Sequence, residues 1–321
     1  MTAERAGARV FTMDDPLANR AGRPERPHGR YVLDGHSFEA GRIGPGLHIV
    51  STPIGNLADI TLRALATLAA ADLIACEDTR VTRKLADRYA IATPLTPYHD
   101  HNAATARPKL LQRLAEGAAV ALVSDAGTPL LSDPGFKLVR AAQEAGHSVT
   151  VLPGASAPLA ALVVAGLPTD QFLFAGFLPA KQAARRARIE QLAGIPATLV
   201  LFETAPRIAA ALADLAAGLG HREAAVCREL TKLHEEVRRD DLASLAQSFA
   251  ASDTRGEIVL VIAPPAAAPP FDIGDADGLL REALTRASLK DAVGEVALVT
   301  GLPRRAVYRR ALALVKEEPA P

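Results

Sequence analysis

Three short segments join glycine or proline to groups that can hold a polar ligand: TPIGNL at 52–57, SDAGTPLLSDPG at 124–135 and PGASA at 153–157. Each follows an apolar run that reads as a strand, and in a doubly wound sheet ligands sit beyond the carboxyl ends of the strands. Glycine lets the backbone approach a ligand closely, and proline fixes the shape of the loop. A polyphosphate is a poor candidate. Neither GxxxxGK[ST] nor a GxGxxG after the first strand is present. Asp125 and Asp133 in the second loop would repel phosphate charge. Carboxylates and carbonyls suit a cation instead, and S-adenosylmethionine offers a sulfonium and an amino group.

Other constellations carry titratable groups. Glu77, Asp78 and Arg80 follow the second apolar run, and Glu229 and Lys232 stand in RELTK at 228–232. A carboxylate of this set, or Lys232 with a lowered pKa, is a candidate proton acceptor. The plainer alternative is an ion-pair network of Arg80 with Asp78 or Glu77. His99, Asp100 and His101 superficially suggest a metal site, but no second ligand cluster accompanies them, and no metal is expected. Two cysteines, Cys76 and Cys227, exclude a disulfide scaffold and read as small core residues. Basic side chains cluster twice. Lys181, Arg185 and Arg188 share one face of a helix with Arg186 off it, and Arg304, Arg305, Arg309 and Arg310 flank Tyr308.

The elements that must position these groups follow from the hydrophobic pattern. From Leu47, short apolar runs alternate with Ala/Leu-rich helical segments, the order of an α/β protein with a parallel-rich sheet. Strands are predicted at 47–51, 72–76, 94–98, 119–124 and 147–152, with helices near 59–68, 80–89, 103–115, 135–145 and 155–164. Asp59 is the expected cap of the first helix. The second half predicts strands at 171–177, 197–202, 223–228, 233–238 and 257–263 and a helix at 206–218. Its closely spaced strands require antiparallel pairing. The domain division is a disordered leader at 1–45, α/β domains at 46–166 and 167–264, a Pro-rich linker at 265–278, and a helix-turn-helix-like module at 279–321.

Composition agrees with a folded chain. The 321 residues are 49% hydrophobic and 22% charged, with 36 basic and 36 acidic side chains, so a large polybasic surface is excluded but a local one is not. No run approaches the ~20 apolar residues of a membrane span. No apolar h-region of a secretory signal is present, and a cytoplasmic location is expected.

STPIGNLADIT (51–61), CEDTR (76–80), HDHNA (99–103), LVSDAGTPLLSDPG (122–135), PGASA (153–157), AGFLPAK (175–181), RELTK (228–232) and GEIVLVI (256–262) together resemble the small-subunit ribosomal RNA 2′-O-methyltransferase I family, within the tetrapyrrole-methylase fold. The resemblance runs from about Leu47 to Leu314. It implies two αβα domains with a cofactor cleft between them, followed by a small helical module. It also implies S-adenosylmethionine as cofactor, methylation of a cytidine 2′-hydroxyl in the decoding region of 16S ribosomal RNA in the small subunit, and a homodimer. Cofactor contacts implied are Pro53, Asp125, Gly127, Leu130, Leu131, Ser156, Ala157, Val226 and Gly256. Glu203 joins them, kept with Arg207 in FETAPR at 202–207, where Ala205 and Pro206 replace the family's Pro-His. Ser51 stands where the family often has proline. Under this resemblance Arg80 would hold a flanking phosphate, and the two basic clusters become RNA contacts, since a neutral enzyme must neutralise phosphate somewhere. The alternatives are a tetrapyrrole C-methyltransferase and a non-catalytic ribosome-assembly RNA-binding protein.

Overall fold

The computed structural model describes residues 29–132, 135–266, 273–274 and 276–317. Residues 1–264 form one compact unit and 265–321 a second.

In the first unit a hairpin, β1 (Arg30–Leu33) and β2 (His36–Glu39), precedes a five-stranded sheet. The leader was expected to lack structure through residue 45, and residues 30–39 correct that. Asp34 and Gly35 both take positive φ, the geometry of a tight hairpin turn. Tyr31 is buried and stacks on Phe38 at 5.5 Å, and the Val32 N–H donates to the Tyr89 carbonyl at 2.8 Å. Residues 1–28 lie outside the described residues.

The first sheet holds β3 (Gly46–Val50), β4 (Leu73–Cys76), β5 (Leu95–Pro97), β6 (Ala119–Val123) and β7 (Val149–Leu152) in the order β5-β4-β6-β3-β7. Every pair is parallel, as the crossover spacing requires. The strands alternate cleanly. Ala121 and Val123 face α1 (Leu62–Ala70) and α2 (Thr79–Arg88), whereas Val120 and Leu122 face α3 (Ala103–Ala115) and α4 (Phe136–Glu144). The cap of α1 is Thr61, whose hydroxyl accepts from the Ala64 N–H. Asp59 lies instead in a short 3-10 turn, Leu57–Asp59, capped by Asn56.

The second sheet runs β11-β10-β12-β9-β8, from β8 (Phe172–Phe177), β9 (Thr198–Thr204), β10 (Glu223–Arg228), β11 (Glu236–Asp241) and β12 (Glu257–Ile262). Only β8 and β9 are parallel; β10 pairs antiparallel with β11 and β12, and β12 with β9. The predicted strand at 233–238 sits three residues later because the RELTK turn occupies the chain in between. One face packs under α6 (Gln182–Ala193), α7 (Ile208–Leu219) and α8 (Leu242–Ala250), the last a helix the pattern did not reveal. The other face is covered by α5 (Ala157–Ala165), which leaves the first sheet and buries Ala161, Leu162 and Ala165 against Val200, Ala225 and Val259. Helix α5 therefore fixes the third glycine-proline loop against the second sheet.

The second unit packs α9 (Ala276–Arg286), α10 (Leu289–Thr300) and α11 (Arg304–Glu317) around Leu280, Val293, Val296, Val307 and Leu314. Ser288 caps α10, and Gly301 ends it at φ +70°.

Candidate functional site

The backbone stitches the three loops together. The Thr52 N–H donates to the Gly127 carbonyl at 2.9 Å, and the Gly127 N–H returns a bond to Thr52 O at 3.0 Å. Gly127 holds φ +75°, which places both bonds. Thr128 Oγ1 donates to the Ala155 carbonyl at 3.2 Å and lies 3.0 Å from Ser51 Oγ. A Cβ on Gly154 would lie 2.9 Å from that of Ser51, so the third loop tolerates only glycine there.

Facing these loops is the carboxyl-side edge of the second sheet, and between them lies a cleft of about 680 Å³. That is the size of a small-molecule site. Among the residues singled out in the sequence, Asp125, Gly127, Leu131, Ser156, Ala157, Glu203 and Gly256 line it. Pro53, Leu130 and Val226 do not. Val226 points into the opposite core with Leu201 and Leu260, while its neighbour Cys227 faces the cleft. Leu130 turns back on the first sheet's core, and Pro53 is buried beside Ile54, which does reach the wall. Asp133 lies outside the described residues. Sequence reasoning missed Ile54, Phe177, Phe202, Cys227 and Leu230; alternation along β8, β9 and β10 was the available signal for Phe177, Phe202 and Cys227, whereas Ile54 and Leu230 lie in turns. Burial pushes the Cys227 thiol up to about 11.

Asp78, Arg80, Glu229 and Lys232 are committed to ion pairs. Asp78 caps α2 by accepting from the Arg80 N–H and pairs with its guanidinium at 2.6 Å. Those bonds from Arg80 lower its pKa to about 2. The Asp78 N–H donates to Asp125 Oδ1 at 2.9 Å, which sets the EDTR loop beside the SDAG loop. Lys232 lies 2.9 Å from Glu229 Oε1 and 2.8 Å from Glu257 Oε2. Burial pulls its pKa down, but the bonds to Glu257 and Glu229 outweigh that and leave it raised. The lowered pKa expected of Lys232 is thus corrected. Burial raises the Glu229 pKa, yet the Glu257 N–H and Lys232 carry the balance below the usual range. Glu203 is buried and pairs with Arg207 at 3.2 Å; its Oε1 accepts from the Thr204 N–H, while Oε2 accepts nothing.

The basic clusters divide. Arg185 is buried, 2.6 Å from Asp214, and is removed from the RNA-contact set. Its spacing with Ile189 and Leu192 puts it on the buried face of α6. Arg186 also pairs with Asp214 but is 62% exposed; Lys181 is exposed, and Arg188 is half-buried and donates to Gln191 Oε1 at 3.0 Å. In the terminal unit Arg304, Arg305 and Arg309 are exposed, whereas Arg310 is half-buried and pairs with Asp277, tying α11 to α9. The His99 and His101 rings meet edge to face at 6.0 Å. Among the described residues no group of three or more His, Cys, Asp or Glu could hold a metal ion.

The donor set suits S-adenosylmethionine. Phe177, Phe202, Leu230 and Ile258 form an apolar wall for a base. Asp125 and Glu203 supply the negative charge a sulfonium and an ammonium require, and Ser156 Oγ is buried without a partner. Fold and site define a methyltransferase of the tetrapyrrole-methylase class: residues 46–246 match the model of the Tetrapyrrole (Corrin/Porphyrin) Methylases, and 272–315 match that of the RsmI C-terminal HTH domain. The solved structure of the methyltransferase CobJ shares the fold, with a TM-score of 0.53 at 21% identity over 71% of this chain and 97% of that one.

The Ribosomal RNA small subunit methyltransferase I of Mesorhizobium japonicum is 53% identical over 84% of this chain and 92% of its own. That of Erythrobacter litoralis is 52% identical over 87% and 99%. The chain belongs to the ribosomal RNA small subunit methyltransferase I family, whose methyl donor is S-adenosylmethionine.

Proposed function

We propose that this enzyme moves the methyl group of S-adenosylmethionine to the ribose 2′-hydroxyl of a cytidine in the decoding region of 16S ribosomal RNA, within the small ribosomal subunit. The observation that carries the reading is a cleft with one wall of glycine-rich loops and one apolar wall, each bearing a buried or half-buried carboxylate. Bound there, the cofactor would supply an activated methyl on a sulfonium. The residues of the chain hold and align. Asp125 and Ser156 on the first wall and Glu203 on the second take its polar groups, and Gly127 and Gly256 let the backbone close in.

Alignment of a hydroxyl with the methyl can contribute on the order of 7–11 kcal/mol to the rate. Asp78, Glu229 and Lys232 are each held in ion pairs, so alignment outweighs strong-base catalysis in this site. Arg80, 87% exposed and oriented by Asp78, takes the phosphate flanking the acceptor ribose. Lys181, Arg186 and Arg188 extend the RNA contact, as do Arg304, Arg305 and Arg309 with Tyr308 available for stacking. Exposed Val151, Leu159 and Val163 offer an apolar surface to a second copy, and a homodimer covers them. The location is cytoplasmic, with the ribosome.

Labelled S-adenosylmethionine incubated with purified small subunits tests this directly. An alkali-resistant labelled dinucleotide is the expected product, and label on a base or on a porphyrin precursor overturns it. Replacing Arg304, Arg305 and Arg309 by alanine is expected to flatten the salt dependence of subunit binding, by about 0.7–0.9 in slope for each phosphate no longer neutralised. Cofactor affinity should not change.

A further inference from the structure

Lys232 bridges the two walls. Its ammonium lies between Glu229 and Glu257, while its aliphatic stem covers Gly55 in the first loop. A Cβ on Gly55 would fall 2.4 Å from Lys232 Cγ and 2.8 Å from Cε. Thr231 presses on the same spot, with Oγ1 3.0 Å from that position, buried and without a hydrogen-bond partner. The turn that delivers both side chains is strained. Glu229 has φ +50° and Thr231 φ +66°, the left-handed region that L-residues rarely adopt and β-branched ones least of all.

Such strain persists only where the surroundings over-determine it. Here Glu229 Oε1 accepts from both Lys232 Nζ and the Glu257 N–H, in a space open because Gly256 has no side chain: a Cβ there would lie 2.5 Å from that oxygen. On the other side, Gly55 follows Ile54, which lines the cleft and packs in one cluster with Leu230.

We propose that the turn 229–232 is a strut: Thr231 and Lys232 are positioning residues that press through Gly55 on the first loop and set the width of the cofactor cleft. The proposal rests on the cofactor reading above and removes Lys232 from the proton-transfer candidates.

Titration calorimetry with S-adenosylhomocysteine on the full chain tests it, using Gly55→Ala, Lys232→Ala, Lys232→Met and the Gly55→Ala/Lys232→Ala double variant. Gly55→Ala should weaken binding about tenfold and Lys232→Ala about fivefold, with Lys232→Met between wild type and Lys232→Ala because it keeps the stem. The double variant should lose much less than the two single losses combined, because the closest contacts leave with the Lys232 side chain and only Thr231 Oγ1 still crowds the added methyl. With cofactor and RNA saturating, kcat of Lys232→Met should stay within about threefold of wild type with an unmoved pH profile. Three results overturn the proposal: additive losses in the double variant, unchanged binding by Gly55→Ala, or a large fall in kcat of Lys232→Met at unchanged affinity. A wild-type chain that binds no S-adenosylhomocysteine removes the cofactor reading itself and this proposal with it. That outcome is visible before any variant is compared.

Discussion

The two walls of the cleft are built by different means. On the first, main-chain bonds between Thr52 and Gly127 and glycines at 127 and 154 fix the loops, with side chains in a minor role. On the second, charged side chains do the fixing: Glu203 with Arg207, Lys232 with Glu229 and Glu257, and behind them Arg185 with Asp214. Backbone geometry is local and written as short strings of glycine and proline. Two of the ion pairs, Lys232–Glu257 and Arg185–Asp214, join residues 25 and 29 positions apart, and the strength of such pairs depends on burial. The first half should therefore be sensitive to added atoms, and the second to removed charge.

The largest effect is expected behind the second wall. Arg185 and Asp214 are 6% and 3% exposed, so Arg185→Ala leaves a buried carboxylate with only Arg186 and Gln182 as partners, and the cost should approach that of a broken buried pair, about 3–5 kcal/mol. Arg186→Ala removes a largely exposed partner of the same Asp214 and should cost under about 1 kcal/mol. Urea unfolding of the two variants makes the comparison. Equal losses would mean that burial does not govern this half.

On the first wall the corresponding change is an addition. Gly127→Ala forces an L-residue to φ +75° and sets a methyl 3.3 Å from Ile54 Cγ2. A left-handed L-residue costs about 1–2 kcal/mol, so cofactor affinity should fall roughly tenfold by calorimetry. An unaffected dissociation constant would show that the Thr52–Gly127 stitch does not hold the loop.

The same contrast explains what the sequence revealed. The helix at 103–115 and the strand at 223–228 were legible to the residue, because apolar periodicity and turn residues are local. So were the parallel first sheet and the antiparallel core of the second, since connection length decides between them. The hairpin at 30–39 was missed: the Asp34-Gly35 pair was its turn signal, but its flanking strands are too short and polar to stand out. Seven cleft residues came from loop strings and family resemblance. Arg185 was misplaced because charge type was weighed above its spacing with Ile189 and Leu192. The lowered pKa of Lys232 failed because Glu257, 25 positions away, cannot be paired with it from local pattern.

The smallest effect sharpens the comparison by testing a charge pair where the backbone does the holding. Asp78 is ionised in the fold down to about pH 2, against 3.8 for an unperturbed carboxyl, chiefly through its bonds to Arg80. A depressed folded pKa contributes stability that is complete above the unfolded value and is lost as pH falls through the folded one. The contribution is therefore constant above about pH 4.5 and disappears between about 4 and 2. Arg80→Ala should move the Asp78 titration, followed by carboxyl carbon NMR, back toward 3.8. It should leave the unfolding midpoint at pH 7 nearly unchanged, because exposed pairs are worth little. Cofactor affinity should hold as well, since the Asp78 N–H keeps its bond to Asp125 without the guanidinium. A large loss of affinity in Arg80→Ala would show that a surface ion pair governs the first wall, and the division between backbone-built and charge-built walls would fail there.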